Sequence, residues 1–298
     1  MNLNGLKIGH AQDFKIKTGV TVFLLDKPSK CSYLVCGSAP ALRDVSTLDL
    51  DTFVSKIDAL LFSGGSAYGL GATNGVMSWL EEHHKGLDTN YRLVPIVPTA
   101  AIYDFNNGLA VEPDADMAYE ACNNAIGNNY KQGNIGAGTG ACVGKTTSYE
   151  STNSGIGMNQ VEFDGIKIVS VAVVNSIGDI YKNGQIIAGA KDKNNVFINM
   201  EESLFSKGVS FNLEKNKNTV LVANFISCEL SNHELAMISK MSVSGISRAI
   251  KPSMTMYDGD VIFSISMGNS IDNSIDLMKI GSACATNIEI AIQNAVKE

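Results

Sequence analysis

Long hydrophobic runs are missing from this sequence. Its most apolar stretches, such as Val169 to Val174 and Val220 to Val222, are the length of β-strands. A helix needs roughly 20 such residues to cross a bilayer, so no spanning segment is predicted. The opening residues, MNLNGLKIGHAQ, lack the basic segment and apolar core of a secretory signal, which makes a cytoplasmic location the expectation. Charge is also scarce, at 18% of residues, and 30 acidic against 23 basic side chains leave a formal net charge of −7. A chain of that sign gains no attraction to phosphate backbones or anionic lipid, so neither nucleic acid nor a membrane is an expected partner. The six cysteines (Cys31, Cys36, Cys122, Cys142, Cys228, Cys284) and four histidines show no metal-ligand spacing. They read as reduced thiols and solvated or packed imidazoles, with no metal expected. Proline-rich linkers, charge blocks and internal repeats are absent as well, so the 298 residues read as one continuous domain.

What the chain does have is apolar material, at 45% of residues, in short alternating blocks of strand and helix pattern. The pattern predicts strands at Thr21–Leu25, Ala59–Phe62, Val94–Val97, Lys167–Asn175, Thr219–Ile226 and Asp260–Met267. Helical spacing appears at Leu70, Val76, Met77 and Leu80, over Asp114–Ala125, and over Cys284–Val296. Ser231-Asn232-His233-Glu234 has the form of a capping box, and the helix it opens is predicted to stop at Lys251-Pro252. Interleaved strands and helices in this order suit a layered α/β architecture.

Four segments carry residues with chemical potential. Ser63-Gly64-Gly65-Ser66 joins a strand to a helix, where backbone N–H groups can hold a carboxylate or let two elements pack closely. Gly133-Asn-Ile-Gly136-Ala-Gly138-Thr-Gly140, followed by Gly144-Lys145, invites comparison with a phosphate loop. It fails in detail, because the required glycine at position 139 is Thr139. What survives is a lysine presented by closely approaching main chain. Lys217-Asn218-Thr219 stands where a polar stretch meets an apolar strand, and by itself Thr219 is simply a good strand former. Tyr257-Asp258-Gly259-Asp260 precedes another strand and reads first as a turn; the acidic spacing of an EF-hand loop does not follow it.

Taken in order, these segments resemble the family of self-processing L-aminopeptidase/D-esterases, which also contains β-peptidyl aminopeptidases and the nylon-oligomer hydrolase. The resemblance spans almost the whole chain. Its markers are GLKIGH from Gly5 to His10, TGVTV from Thr18 to Val22, and IDALLFSGGSAYGL from Ile57 to Leu70. They continue with VPIVP from Val94 to Pro98, GNIGAGTGACVGK ending at Lys145, and AVVNSIGD from Ala172 to Asp179. NTVLV from Asn218, SRAIKP from Ser247 and YDGD from Tyr257 complete the set. Two departures stand out: Ala223-Asn224-Phe225-Ile226 replaces the frequent Ala-Thr-Asp-Ala, and no tyrosine stands near Val143 and Gly144, where the aminopeptidase branch carries a donor.

The resemblance implies a four-layer αββα sandwich, like that of N-terminal-nucleophile hydrolases but with its own connectivity. It implies self-cleavage between Asn218 and Thr219, giving fragments 1–218 and 219–298 that remain together. Thr219 would then be the nucleophile, Asn175 an oxyanion donor and Lys145 an active-site cation, with Asp258 and Asp260 orienting the nucleophile and its amine. Gly64, Gly65, Ser66, Gly136 and Gly138 would let main chain approach the substrate. The implied activity is hydrolysis of a small peptide or amide, as an aminopeptidase or oligoamide hydrolase, in a homo-oligomer (often a tetramer of cleaved pairs) without metal or organic cofactor. Two alternatives stay open on sequence chemistry: an acyltransferase like the ornithine acetyltransferases, and a non-catalytic small-molecule binder of the same fold.

Overall fold

The computed structural model describes residues 3–146, 148–205, 218–268 and 276–297. Lys217, the first residue of the predicted cleavage motif, lies outside them. Among the described residues nine strands join in one hydrogen-bonded sheet. They are β1 (Leu6–Asp13), β2 (Thr18–Val35), β3 (Ala41–Arg43), β4 (Lys56–Ser63), β5 (Thr99–Ala101), β6 (Ile156–Phe163), β7 (Ile166–Asn175), β8 (Thr219–Ile226) and β9 (Val261–Ser266). The path runs β6-β7-β8-β9-β2-β4-β5-β3, with β1 on the first half of β2.

The long strand β2 turns this path into two stacked layers. Its first half pairs with β1 and β4, while Cys31–Val35 pairs with β9. The register with β4 shifts between Leu24 and Ser29, where Pro28 cannot donate to a ladder. Beyond that irregularity the strand joins the second layer. Phe23 and Phe62 from one layer meet Phe225 and Phe263 from the other, with the Phe23 and Phe225 rings 5.2 Å apart. Alternation supplies the outer faces. Leu221, Ala223 and Phe225 of β8 point between the sheets, while Val220 and Val222 point outward onto helices.

Helices α1 (Thr73–Glu82) and α2 (Ala115–Asn123) cover the β1/β2/β4 layer through Val20, Val22, Leu61, Val76, Leu80 and Ala121. Helices α3 (Asn232–Ala249) and α4 (Leu277–Asn294) cover the other layer through Val222, Ile246, Ile262, Ile288 and Ile292. The result is the expected helix–sheet–sheet–helix order. The capping box at α3 is present in both directions between Ser231 and Glu234. At Gly245 a Cβ would stand 2.2 Å from the Ala285 carbonyl, so this glycine sets the close approach of α3 and α4.

Three predicted spans are corrected. Val94–Val97 is not a core strand. Pro95 interrupts it and Pro98 follows it, Leu93–Val94 pairs with Leu87–Asp88, and the chain rejoins the sheet at Thr99–Ala101. The strand at Thr21–Leu25 extends over Thr18–Val35. The last helix begins at Leu277, capped by Asp276 on the Met278 and Lys279 N–H groups, instead of at Cys284.

Candidate active site

Thr219 opens β8, and its partner across the antiparallel ladder with β7 is Asn175. Both share parity with the inward-facing residues of their strands, so they stand side by side at one end of the inter-sheet space. Both are buried. On the other edge of β8, Asn218 forms a parallel bridge with Asp258. The Asn218 carbonyl oxygen accepts two hydrogen bonds, from the Thr219 hydroxyl at 2.5 Å and from the Gly259 N–H at 2.8 Å. The hydroxyl therefore lies against the peptide bond that precedes it.

Asp258 and Asp260 are each 1% exposed. The Asp260 carboxylate accepts the Val220 N–H at 2.7 Å, gripping the strand one residue past Thr219. Asp258 accepts the Thr255 N–H at 2.8 Å, and its other carboxylate oxygen, Oδ1, has no hydrogen-bond partner among the described residues. Burial pushes both carboxyls above the ordinary range, and for Asp260 the neighbouring Asp258 carboxylate adds to the effect. Their backbones are clamped by residues following β2. The Asp258 carbonyl accepts the Ser38 and Ala39 N–H groups, and the Asp260 carbonyl those of Cys36 and Gly37. A Cβ at Gly37 would lie 2.1 Å from the Asp258 carbonyl, so only glycine fits there.

Lys145 reaches the same region from the loop that follows the glycine-dense segment. Gly144 adopts φ +72°, and a Cβ there would strike the Ala190 nitrogen at 1.9 Å. Lys145 is only 3% exposed; burial lowers its proton affinity, while Cys142, Asp258 and Asp104 pull it back up. The Asn175 side chain is held by the same loop. Its Oδ1 accepts the Cys142 N–H at 3.2 Å, and its Nδ2 donates to the Tyr103 carbonyl at 2.8 Å. The structure thus brings together Thr219, Asn175, Lys145, Asp258, Asp260 and Asn218.

The glycine segments stand around this group, mostly as packed main chain. The N–H groups of Gly64, Gly65 and Ser66 donate to the Gly19 carbonyl, the Asp104 carboxylate and the Ile102 carbonyl. The carboxylate held at this turn is the chain's own Asp104, which also accepts the Thr18 hydroxyl at 2.7 Å. Gly136, at φ +52°, packs where a Cβ would lie 2.3 Å from Thr21 Oγ1 and 2.7 Å from His10 Nδ1. Gly138 packs against Gly155 and Ile156. Sequence reasoning missed Asp104, whose partners lie 39 and 86 positions away. It also missed Gly259, which read as a turn.

The departure at Asn224-Phe225 lies inside the strand, about 17 Å from Thr219 at the usual rise per residue. Asn224 accepts the Ser170 hydroxyl beneath α4, and Phe225 fills the inter-sheet core. Neither side chain reaches the Thr219 end of the strand. Among the described residues, no group of three or more His, Cys, Asp or Glu side chains is arranged to hold a metal ion, and no helix is long and apolar enough to cross a membrane.

The model of peptidase family S58 matches residues 1–298. An uncharacterized aminopeptidase of Mycobacterium tuberculosis is 32% identical over 287 residues, covering 90% of this chain and 80% of the relative. A 6-aminohexanoate-oligomer endohydrolase of Paenarthrobacter ureafaciens is 28% identical over 271 residues, covering 88% and 73%. Among solved structures, a Burkholderia sp. β-aminopeptidase superposes with a TM-score of 0.73 at 14% identity, covering 98% of this chain and 84% of that one. The L-aminopeptidase D-Ala-esterase/amidase of Ochrobactrum anthropi, described as a variant of the Ntn-hydrolase fold, gives 0.73 at 15% identity with the same coverage.

Proposed function

The chain belongs to peptidase family S58, and from that premise we propose that it is an amide hydrolase that cleaves itself between Asn218 and Thr219 and then uses Thr219 as its nucleophile. The observation that carries the reading is the Thr219 hydroxyl, 2.5 Å from the carbonyl oxygen of the bond it would break. It stands at the point where Asn175, Lys145 and the two buried aspartates converge.

Cleavage frees the α-amine of Thr219. Such an amine has a reference pKa of about 7.7–8.0, so an appreciable fraction is neutral near pH 7 and can accept the proton of its own hydroxyl. The hydroxyl then attacks a substrate amide and forms an acyl-enzyme that water resolves. Asn175 Nδ2, with one proton on the Tyr103 carbonyl, has a second to offer the developing oxyanion. Lys145 adds positive charge to the same region. Asp260, fixed on the Val220 N–H, and Asp258 hold the amine in place and favour a substrate that carries a free amino group. The substrate class supported is therefore a small peptide or amide, in keeping with relatives named for peptides and for 6-aminohexanoate oligomers.

Intact mass under denaturing conditions tests the reading. Wild type is expected as two fragments, the smaller beginning at Thr219, and Thr219→Ala as one uncut chain without hydrolytic activity. A wild-type chain that stays whole through long incubation would overturn it.

A further inference from the structure

We infer that the backbone N–H of Gly259 is the donor that stabilises the oxyanion formed on Asn218 when the chain cleaves itself, so that self-cleavage and substrate turnover use different oxyanion donors. The inference rests on the self-cleaving reading above.

Strand β8 lies between β7 and β9, and the two candidate donors approach it from opposite edges. The Asn218 carbonyl is turned toward the segment leading into β9, where the Gly259 N–H meets it at 2.8 Å. Asn175 sits on β7, and its side-chain amide is engaged at both ends, by the Cys142 N–H and the Tyr103 carbonyl. Asn175 thus belongs to the edge of β8 opposite the Asn218 bridge to Asp258.

The Gly259 donor is also rigid. The peptide carbonyls on either side of it, those of Asp258 and Asp260, are each fixed by two N–H groups from residues 36–39. A donor held in place before reaction needs no reorganisation as charge develops. The residue must be glycine, because a Cβ would stand 2.9 Å from Thr219 Oγ1 and 2.6 Å from the Ala39 carbonyl. No side chain at position 259 therefore shields this N–H or crowds the hydroxyl.

Thr219 Oγ1 bonds to the Asn218 carbonyl carbon, and the carbonyl π electrons move onto its oxygen, where the Gly259 N–H and the surrounding site hold the charge. The C–N bond then breaks, and the hydroxyl proton ends on the departing Thr219 nitrogen. An ester links Asn218 to the Thr219 side chain until water hydrolyses it, leaving an Asn218 carboxylate and the Thr219 hydroxyl.

Replacing Gly259 by glycolate through nonsense suppression exchanges this N–H for an ester oxygen and leaves every side chain in place. The uncut fraction of the full chain is followed by intact mass, beside wild type, Thr219→Ala and a control with glycolate at Gly184, an open hairpin turn. The expected result is self-cleavage slowed about 10²–10³-fold at position 259, the usual loss for one oxyanion donor, with wild-type speed in the control. Cleavage of the position-259 variant at the wild-type rate overturns the inference. A wild type that never cuts overturns the self-cleaving reading itself and takes the inference with it. Should the glycolate chain fail to show native circular dichroism, hydrogen exchange of the Gly259 amide in uncut Thr219→Ala decides. Strong protection supports the bond to Asn218, and exchange at the rate of an open amide overturns it.

Discussion

Lys145 is a buried cation whose proton affinity is set by a contest: burial pushes it down, and Cys142, Asp258 and Asp104 pull it up. Asp104 also ties Gly65 and Thr18 together, so one carboxylate both shapes the Ser-Gly-Gly turn and supports the charge on Lys145. In Asp104→Asn one of the upward pulls is removed, and Lys145 then loses its proton at a lower pH. If the Lys145 cation assists the oxyanion, the alkaline limb of the kcat/KM profile is expected to move to lower pH. A lower plateau is also expected, because Gly65 and Thr18 donate to separate oxygens of Asp104 and the amide replaces one of them by an NH2 group. The cost in stability is about 1–3 kcal/mol, that of a buried donor left without its acceptor. A profile that drops in height while its alkaline limb stays fixed would assign Asp104 a purely structural role.

At the scale of elements, the glycine-dense loop depends on β1 and β2. Thr21 Oγ1 accepts the Ala137 N–H and bonds to Nδ1 of the buried His10. Burial, reinforced by Lys131, lowers the His10 pKa from 6.5 to about 4. A depressed histidine contributes stability above its unfolded pKa and loses it as pH falls toward the folded one. The window is thus pH 6.5 down to about 4, and the contribution at stake is about 3 kcal/mol at 1.36 kcal/mol per unit. The urea midpoint of His10→Gln is expected to fall less than that of wild type between pH 7 and pH 4.5. Asp179, raised to about 6, works in the opposite direction but is common to both proteins and cancels in the comparison. Equal falls would exclude His10 as the titrating group.

The same scale shows what the sequence could reveal. Strands β7 and β8 and the α3 cap depend on neighbours within a few residues, and they were legible from alternation and from the Ser231/Glu234 pair. Strand β2 was only half visible, because Asp26-Lys27-Pro28 looks like a break and is instead the irregularity at which the strand changes layers. The surroundings of Thr219 were read by resemblance alone. Asn175 and Thr219 are 44 positions apart in sequence and become neighbours only when β7 and β8 pair. Asp104 and Gly259 left no local signal, since one acts through distant loops and the other through a backbone N–H that any residue but proline possesses.

For the whole molecule, the proposed self-cleavage has to break a bond without breaking the fold. The segment that would follow the cut is β8, hydrogen-bonded to β7 on one edge and β9 on the other, with all eight residues buried. Its five large apolar side chains, Val220, Leu221, Val222, Phe225 and Ile226, each contribute about 1.5–3 kcal/mol on burial, on the order of 10 kcal/mol together. Helices α3 and α4 add their faces from the same fragment. A nanomolar complex corresponds to about 12 kcal/mol, so fragments 1–218 and 219–298 are expected to stay associated at any practical dilution. Native size-exclusion chromatography of the cleaved protein should therefore give one peak containing both masses, and guanidinium should be needed to separate them. Elution of the smaller fragment alone under native conditions would mean that β8 does not hold its place between β7 and β9 once its first peptide bond is gone.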